Sequence, residues 1–330
     1  MMQSKEKIVP LPGIWATIAA GFDVIAIHFW IIVIPVLLDS FLWLGPRLSI
    51  RPLLEQMVTF WQQGPTIPGV DFSLLLDLAP RTNLFTSLSV PILGVPVLMT
   101  GLTPEKTPLP TTLFELNNAV EMFLLFVLFS LLGLVLTAVY MTLTASVIQH
   151  QPIRQALSRM AINWLKLMGL VVTVFIFAVM VYIPLAIVGV LTALLSETLA
   201  SLVLLMGPLL IAWVVIYLVF VPHGIFVNGR PLFRAMIESL QLMRHFLLPT
   251  ITLLLTILII RRGMDWLLLM ADDGSWLTWV SIWGHAFVST ALLAASFIFY
   301  RDRYALLFQP VASSISDTGP AEQRPEQGTN

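Results

Sequence analysis

Few side chains in this sequence are able to do chemistry, and the apolar surroundings decide what that chemistry is. Two carboxylates, Asp39 and Glu121, stand a few positions inside long apolar runs, where an ionised group costs roughly 2.5–3.5 kcal/mol at a helix centre. Both fall near the same end of their runs. With Arg81, or with Arg47 or Arg51, from the segment between them, they form a candidate polar pocket for a cation or a lipid headgroup. The competing expectation is that each carboxylate simply reaches the headgroup layer or pairs with a loop arginine.

His285 lies midway along another apolar run, beside Gly284. It is expected to hydrogen-bond a neighbouring helix, with a proton relay as the alternative. The Asp23/His28 spacing does not match a two-ligand helix motif such as His-x-x-x-His, so no metal site is read there. There is no Gly-x-Ser-x-Gly, no phosphate-cradling Gly-rich loop and no His-Glu-x-x-His. With no cysteine in the chain, thiol catalysis and disulfides are excluded, and no cofactor is expected.

The elements that position these groups are set by composition. Of 330 residues, 58% are hydrophobic and only 11% charged, with a mean hydropathy of +0.92, whereas water-facing domains carry about 25% charged residues. Lys and Arg number 17 against 18 Asp and Glu, so no basic field marks a nucleic-acid partner. The fold class is therefore all-α, a polytopic transmembrane helix bundle. About 20 apolar residues are needed per crossing, and the runs predict about six spans, at 24–44, 117–148, 164–194, 200–222, 246–262 and 276–300.

The first run begins like a signal peptide, with Lys5 and Lys7 ahead of an apolar stretch and small residues at Ala19-Ala20-Gly21. It continues far beyond such a segment, which predicts a retained span with 12–22 as an interfacial lead-in. Prolines from Pro46 to Pro110 break the 45–112 segment into a large exterior loop with amphipathic helices near 51–62 and 72–88. Its apolar stretch from Pro91 to Met99 is expected to lie against lipid or protein. Arg261-Arg262-Gly263 closes the fifth span early and leaves 264–270 for the interface. Residues 1–308 form one transmembrane domain, and polar 309–330 reads as a disordered tail.

Orientation follows from Lys and Arg beside the spans. With both termini cytoplasmic, the inside segments hold Lys5, Lys7, Arg154, Arg159, Lys166, Arg230, Arg234, Arg244, Arg301, Arg303 and Arg324. The outside keeps Arg47, Arg51, Arg81, Lys106, Arg261 and Arg262. The excess places the 45–112 loop on the exterior face of a bacterial cytoplasmic membrane.

Two inside connections read alike. Gln151-Pro152-Ile153-Arg154-Gln155-Ala156-Leu157 and Arg230-Pro231-Leu232-Phe233-Arg234-Ala235-Met236 share Pro and Ala in register, each ahead of a span, and a third copy is read at Pro12/Ala16. Pro suits a helix start, Arg faces anionic headgroups, and the apolar face lies on the membrane. Arg154, Arg159, Arg234 and Arg244 are the candidate interfacial-helix residues. Phe220-Val221-Pro222, Gly229, then Ala235, Ser239, Leu242 and Arg244 ahead of a span resemble the bacterial membrane domain attached to some glycerophosphodiester phosphodiesterases and the YciC-like inner-membrane proteins. That resemblance covers roughly 115–305. It implies a six-helix membrane architecture; the phosphodiesterase's catalytic barrel has no counterpart here, and no active site is carried over.

Three functional expectations follow. The first is a non-enzymatic envelope accessory or assembly component, whose partners are membrane lipids and a protein docked at the cytoplasmic interfacial helices. The second is a transporter or permease for a small or lipid-like solute, with Pro184 and Pro208 interrupting spans three and four. The third is an intramembrane lipid enzyme using Asp39 and Glu121 as acid and base, which requires the two to sit within a few ångströms of each other.

Overall fold

The computed structural model describes residues 11–63, 73–91, 93–100, 106–270 and 274–308; the tail expected at 309–330 lies outside them. The architecture is a bundle of long apolar helices. Helix α1 (Ile14–Ile27) is followed by a 3-10 turn (Phe29–Ile32) and α2 (Val33–Leu44). The 45–112 segment holds β1 (Arg47–Ser49), α3 (Arg51–Gln63), α4 (Ser73–Leu78) and three short 3-10 turns among its described residues, and β2 (Leu113–Glu115) follows it. Then come α5 (Ala119–Ile148), α6 (Ile153–Ser158), α7 (Met160–Ala193), α8 (Glu197–Tyr217), α9 (Val221–Asn228), α10 (Leu232–Leu268) and α11 (Leu277–Phe308). Among the described residues, five stretches are long and apolar enough to cross a membrane: α5, α7, α8 with α9, α10 and α11. The α1/α2 pair passes the same test only as a unit bent by 90°. The chain is a multi-pass membrane protein.

Helix α11 is the axis of the bundle: 67% of its apolar window is buried, against 0% for α7. Its buried face is built from small residues, with Ala286, Ala291, Ala294 and Ala295 all at 0% exposure, which lets neighbouring backbones approach where lipid offers no hydrophobic drive to association. Helix α1 runs antiparallel along it, with Phe22 against Phe287 and Phe29 stacked on Trp283. The contact closes at Gly21, where a Cβ would meet the Ala291 carbonyl oxygen at 2.4 Å. Ile14 and Ile18 pack with Phe299, Tyr300 and Phe308, so both described ends of the chain lie at one end of the bundle and the 45–112 loop at the other.

The expected straight span at 24–44 is instead broken at His28, whose backbone leaves the helical region (φ −112°, ψ 48°). Pro35 supplies the reason. Inside a continuous helix its ring would strike a carbonyl one turn back and remove an amide, but in a helix beginning at Val33 it falls in the first turn, where both are tolerated. The fifth span differs the other way. Helix α10 runs unbroken past Arg261-Arg262-Gly263 to Leu268, and carries its one non-helical residue at Phe246 (φ −125°, ψ 34°), three positions before Pro249. The apolar run expected from 246 thus begins at a proline kink. Pro184 and Pro208, expected to interrupt spans, lie inside continuous α7 and α8.

The described part of the 45–112 segment is folded onto the bundle. Strands β1 and β2 pair in parallel, Arg47 with Leu113 and Ser49 with Glu115, and tie its two ends together. Asn83 fastens the middle, its Oδ1 accepting from the Leu48 and Phe85 amides at 3.1 and 3.2 Å. The 84–99 segment then dips between helices: at Gly133 of α5 an added Cβ would lie 2.4 Å from the Leu88 carbonyl oxygen, and Val95, Val97, Leu98 and Met99 are all buried. Gly133 is 14 residues into α5, or about 21 Å at 1.5 Å per residue. The Pro91–Met99 stretch therefore packs against protein at bundle depth.

Candidate functional site

Non-helical backbone at membrane depth survives only where its polar groups are satisfied inside the protein. Asp39 performs that task for the dipping loop. Its Oδ2 accepts from the Leu98 amide and its Oδ1 from the Met99 amide, both at 2.8 Å, with the side chain fully buried. His285, at 1% exposure, stands beside it, Nδ1 3.8 Å from Asp39 Oδ2 and Nε2 3.2 Å from Asp265 Oδ1. Nε2 also lies 3.2 Å from Ser289 Oγ. His285 thus bridges α2, α10 and its own helix. Asp265 is a residue that sequence reasoning assigned to the interface; the signal that could have found it is its place one helical turn beyond Arg261.

Asp39 and Glu121 occupy different settings, Asp39 fully buried and Glu121 exposed. Glu121 is exposed on the first turn of α5, where Asn118 Oδ1 accepts from the Val120 and Glu121 amides at 2.8 and 3.4 Å. An N-cap asparagine followed by an acidic first turn is a helix-start signature, the carboxylate complementing the positive end of the helix dipole. Arg81 ends the 3-10 turn Ala79–Arg81. The acid–base pair required of a lipid enzyme is thus not assembled at Asp39 and Glu121. Nearby, burial holds the Arg47 guanidinium below its ordinary range.

Below the loop lies an apolar cavity of about 580 Å³, within the range of about 300–1,000 Å³ typical of small-molecule sites. Its roof is formed by Val90, Pro91, Leu93, Gly94 and Pro96 of the dipping loop, and its walls come from α5, α7, α8, α9, α10 and α11. On α5 the lining runs from Phe126 to Met141, about 22 Å of helix against a hydrocarbon core of about 30 Å. Leu134, Val174, Leu253 and Leu292 typify the apolar lining; the polar side chains are Ser130, His223, Arg261, Ser289 and Ser296. Arg261 stands one helical turn before Asp265, toward the loop end. At the far end His223 is tied down, Nδ1 3.2 Å from the Val219 carbonyl and Nε2 2.9 Å from Ser296 Oγ. Ser289 belongs both to this lining and to the His285 cluster. Chemically, the cavity offers an apolar slot with a cation near one end and no assembled acid–base pair.

The candidate interfacial arginines occupy three different settings. Arg154 is exposed on α6, and Arg244 is exposed on α10. Arg234 Nε pairs with Glu238 Oε1 at 2.9 Å, and Arg230 approaches the same oxygen at 3.3 Å. The Tyr304 hydroxyl, 3.2 Å from Arg230 Nε, and then Glu238 hold the Arg230 guanidinium above its ordinary range. Arg159 separates α6 from α7. Pro152 and Pro231 have nearly the same backbone, φ −63° and −64°, and each caps the helix after it. Beyond that the two connections diverge, since α6 stops after 6 residues while α10 continues for 37.

Comparison with protein-family models, with curated proteins and with solved structures finds no match to this chain.

Proposed function

We propose that this chain is a non-enzymatic protein of the bacterial cytoplasmic membrane, both termini inside, that holds an anionic lipid-like amphiphile in its bundle. The observation that carries this reading is the apolar cavity of about 580 Å³ with Arg261 among its lining. An acyl chain would fill the slot between α5 and α10, and a negative headgroup would be drawn toward Arg261. A slot so poor in polar side chains suits a hydrocarbon better than a hydrated ion. The α6 and α10 starts, each led by Pro and bearing Arg154 and Arg234, serve in this reading as interfacial helices that meet headgroups or dock a protein partner. The six-helix architecture implied by the resemblance to the YciC-like membrane proteins is compatible with it.

A permease for a lipid-like solute is the second reading, favoured by one observation. Helices α7 and α8 pack closely on each other, Gly207 against Tyr182 and Gly189 against Leu204, yet the most apolar stretches of α7 and of α8 with α9 are only 0% and 11% buried. Such a hairpin is suited to move relative to the bundle and open the slot sideways.

The test is lipid analysis of the purified chain by mass spectrometry, comparing wild type with Leu134→Trp and Leu253→Trp. The reading expects a defined anionic lipid retained by wild type in near-unit ratio and depleted in both filled variants. Equal lipid content in all three would overturn it. A dithionite-type flux assay in liposomes separates holder from permease: lipid movement between leaflets above protein-free background selects the permease.

A further inference from the structure

A second cavity, about 210 Å³, lies at the opposite end of the bundle and shares no lining residue with the apolar one. Helix α5 brings Thr142 and Gln149 to it, and the chain then reverses at His150, a non-glycine residue with φ 53°. Helix α6 brings Gln155, the break before α7 brings Arg159, and α7 brings Asn163, while the far wall is the backbone from Ile225 to Gly229.

The walls are braced. Gln149 Nε2 donates to the Val227 carbonyl at 2.6 Å. Lys166 Nζ donates to the Gly229 carbonyl at 3.0 Å and to Asn163 Oδ1 at 3.4 Å, adding its charge to that of Arg159 nearby. Gly229 is left-handed (φ 62°), and a Cβ there would lie 3.7 Å from Arg159 Nη1, which puts the guanidinium against this wall. No lining residue is Asp or Glu, and Arg159 makes no ion pair among the described residues. Thr142 is 4% exposed and its hydroxyl has no hydrogen-bond partner among the described residues; native structures seldom leave such a group buried without one.

We propose that this pocket binds a phosphate group. Side-chain amides, an orphan hydroxyl and a guanidinium, with no carboxylate among them, match a ligand carrying negative charge and several acceptor oxygens. The group is either a lipid headgroup phosphate at the membrane surface or a soluble phosphate, and the chemistry at the pocket is the same. This inference is independent of the apolar cavity.

The experiment uses the full chain in dodecyl maltoside, a phosphate-free detergent. Thermal unfolding is followed while inorganic phosphate, or a short-chain phosphatidic acid, is titrated at constant ionic strength. Saturable stabilisation is expected. Arg159→Gln is expected to weaken the apparent Kd about tenfold or more, since a charge-assisted contact is lost. Thr142→Val, which changes no charge, is expected to weaken it by a smaller factor, and Lys106→Gln, an exposed cation outside the pocket, to leave it unchanged. Stabilisation by phosphatidic acid alone assigns a headgroup, and stabilisation by inorganic phosphate assigns a soluble anion. Absence of saturable stabilisation by either, or equal weakening by Lys106→Gln and Arg159→Gln, overturns the proposal. A poorly folded Arg159→Gln does not rescue it, because Thr142→Val binding as tightly as wild type also overturns it.

Discussion

Replacing Asp39 tests how the loop is held inside the bundle. In Asp39→Ala the Leu98 and Met99 amides, each now 2.8 Å from a carboxylate oxygen, lose their acceptors while remaining buried. A buried donor left without a partner costs about 1–3 kcal/mol, so two of them cost about 2–6 kcal/mol. Spread over a chain of this size, that corresponds to a fall in Tm on the order of 10 °C. Asp39→Asn keeps one acceptor but turns an amide group toward the second N–H, and its loss is expected to lie between Asp39→Ala and wild type. Thermal unfolding in detergent gives the global number. Hydrogen–deuterium exchange gives the local one, with protection lost at residues 98–99 and kept in α11. If Asp39→Ala leaves both the Tm and the exchange of those two amides at wild-type values, the carboxylate is not what satisfies the loop and the reasoning fails.

Three further outcomes are expected. Gly21→Val drives a side chain into the Ala291 carbonyl, already only 2.4 Å from an added Cβ, and overpacking of this kind costs about 1–3 kcal/mol; a reduced Tm with a retained helical circular dichroism signal checks it. Gly133→Ala places its methyl 2.4 Å from the Leu88 carbonyl oxygen and is expected to raise proteolysis within the 84–99 loop while sparing the helices; an unchanged cleavage pattern would show that the loop does not seat there. Glu238→Ala strips both Arg230 and Arg234 of their shared carboxylate. Because these arginines are partly exposed, the loss is expected to stay near 1 kcal/mol, read as a small Tm shift that vanishes in the Arg230→Ala/Arg234→Ala background.

The spans were legible because an uninterrupted apolar run of bilayer length admits almost no other structure. Their interruptions were not, because each depends on where a proline falls relative to a helix start. Pro35 forces a new helix at Val33, whereas Pro184 and Pro208 are absorbed within α7 and α8. The 45–112 segment reads as lying outside the bilayer because no stretch of it can span, yet being too short to span does not prevent a segment from dipping. What draws it in is a contact between residues 59 and 60 positions apart, Asp39 with Leu98 and Met99, which no local pattern encodes. Asp39 was therefore legible as unusual but not as a loop anchor. Glu121 carried its explanation locally in the Asn118 cap three residues before it. His285 was read with an interhelical bond, and the structure supplies Asp39 and Asp265 around it. The apolar cavity has no sequence signature, since its lining alternates among six helices and looks the same as lipid-facing surface.

Whether the interior of the bundle, and not only its outer surface, receives a lipid chain is decided by photo-crosslinking in nanodiscs with an anionic lipid bearing a diazirine in its acyl chain, followed by peptide mapping. Crosslinks are expected on the inner faces of α5, α10 and α11, at Leu134, Leu253 and Leu292, and are expected to be lost in Leu134→Trp. Crosslinks confined to outward-facing residues such as Phe175 and Trp213, unchanged by Leu134→Trp, would contradict it.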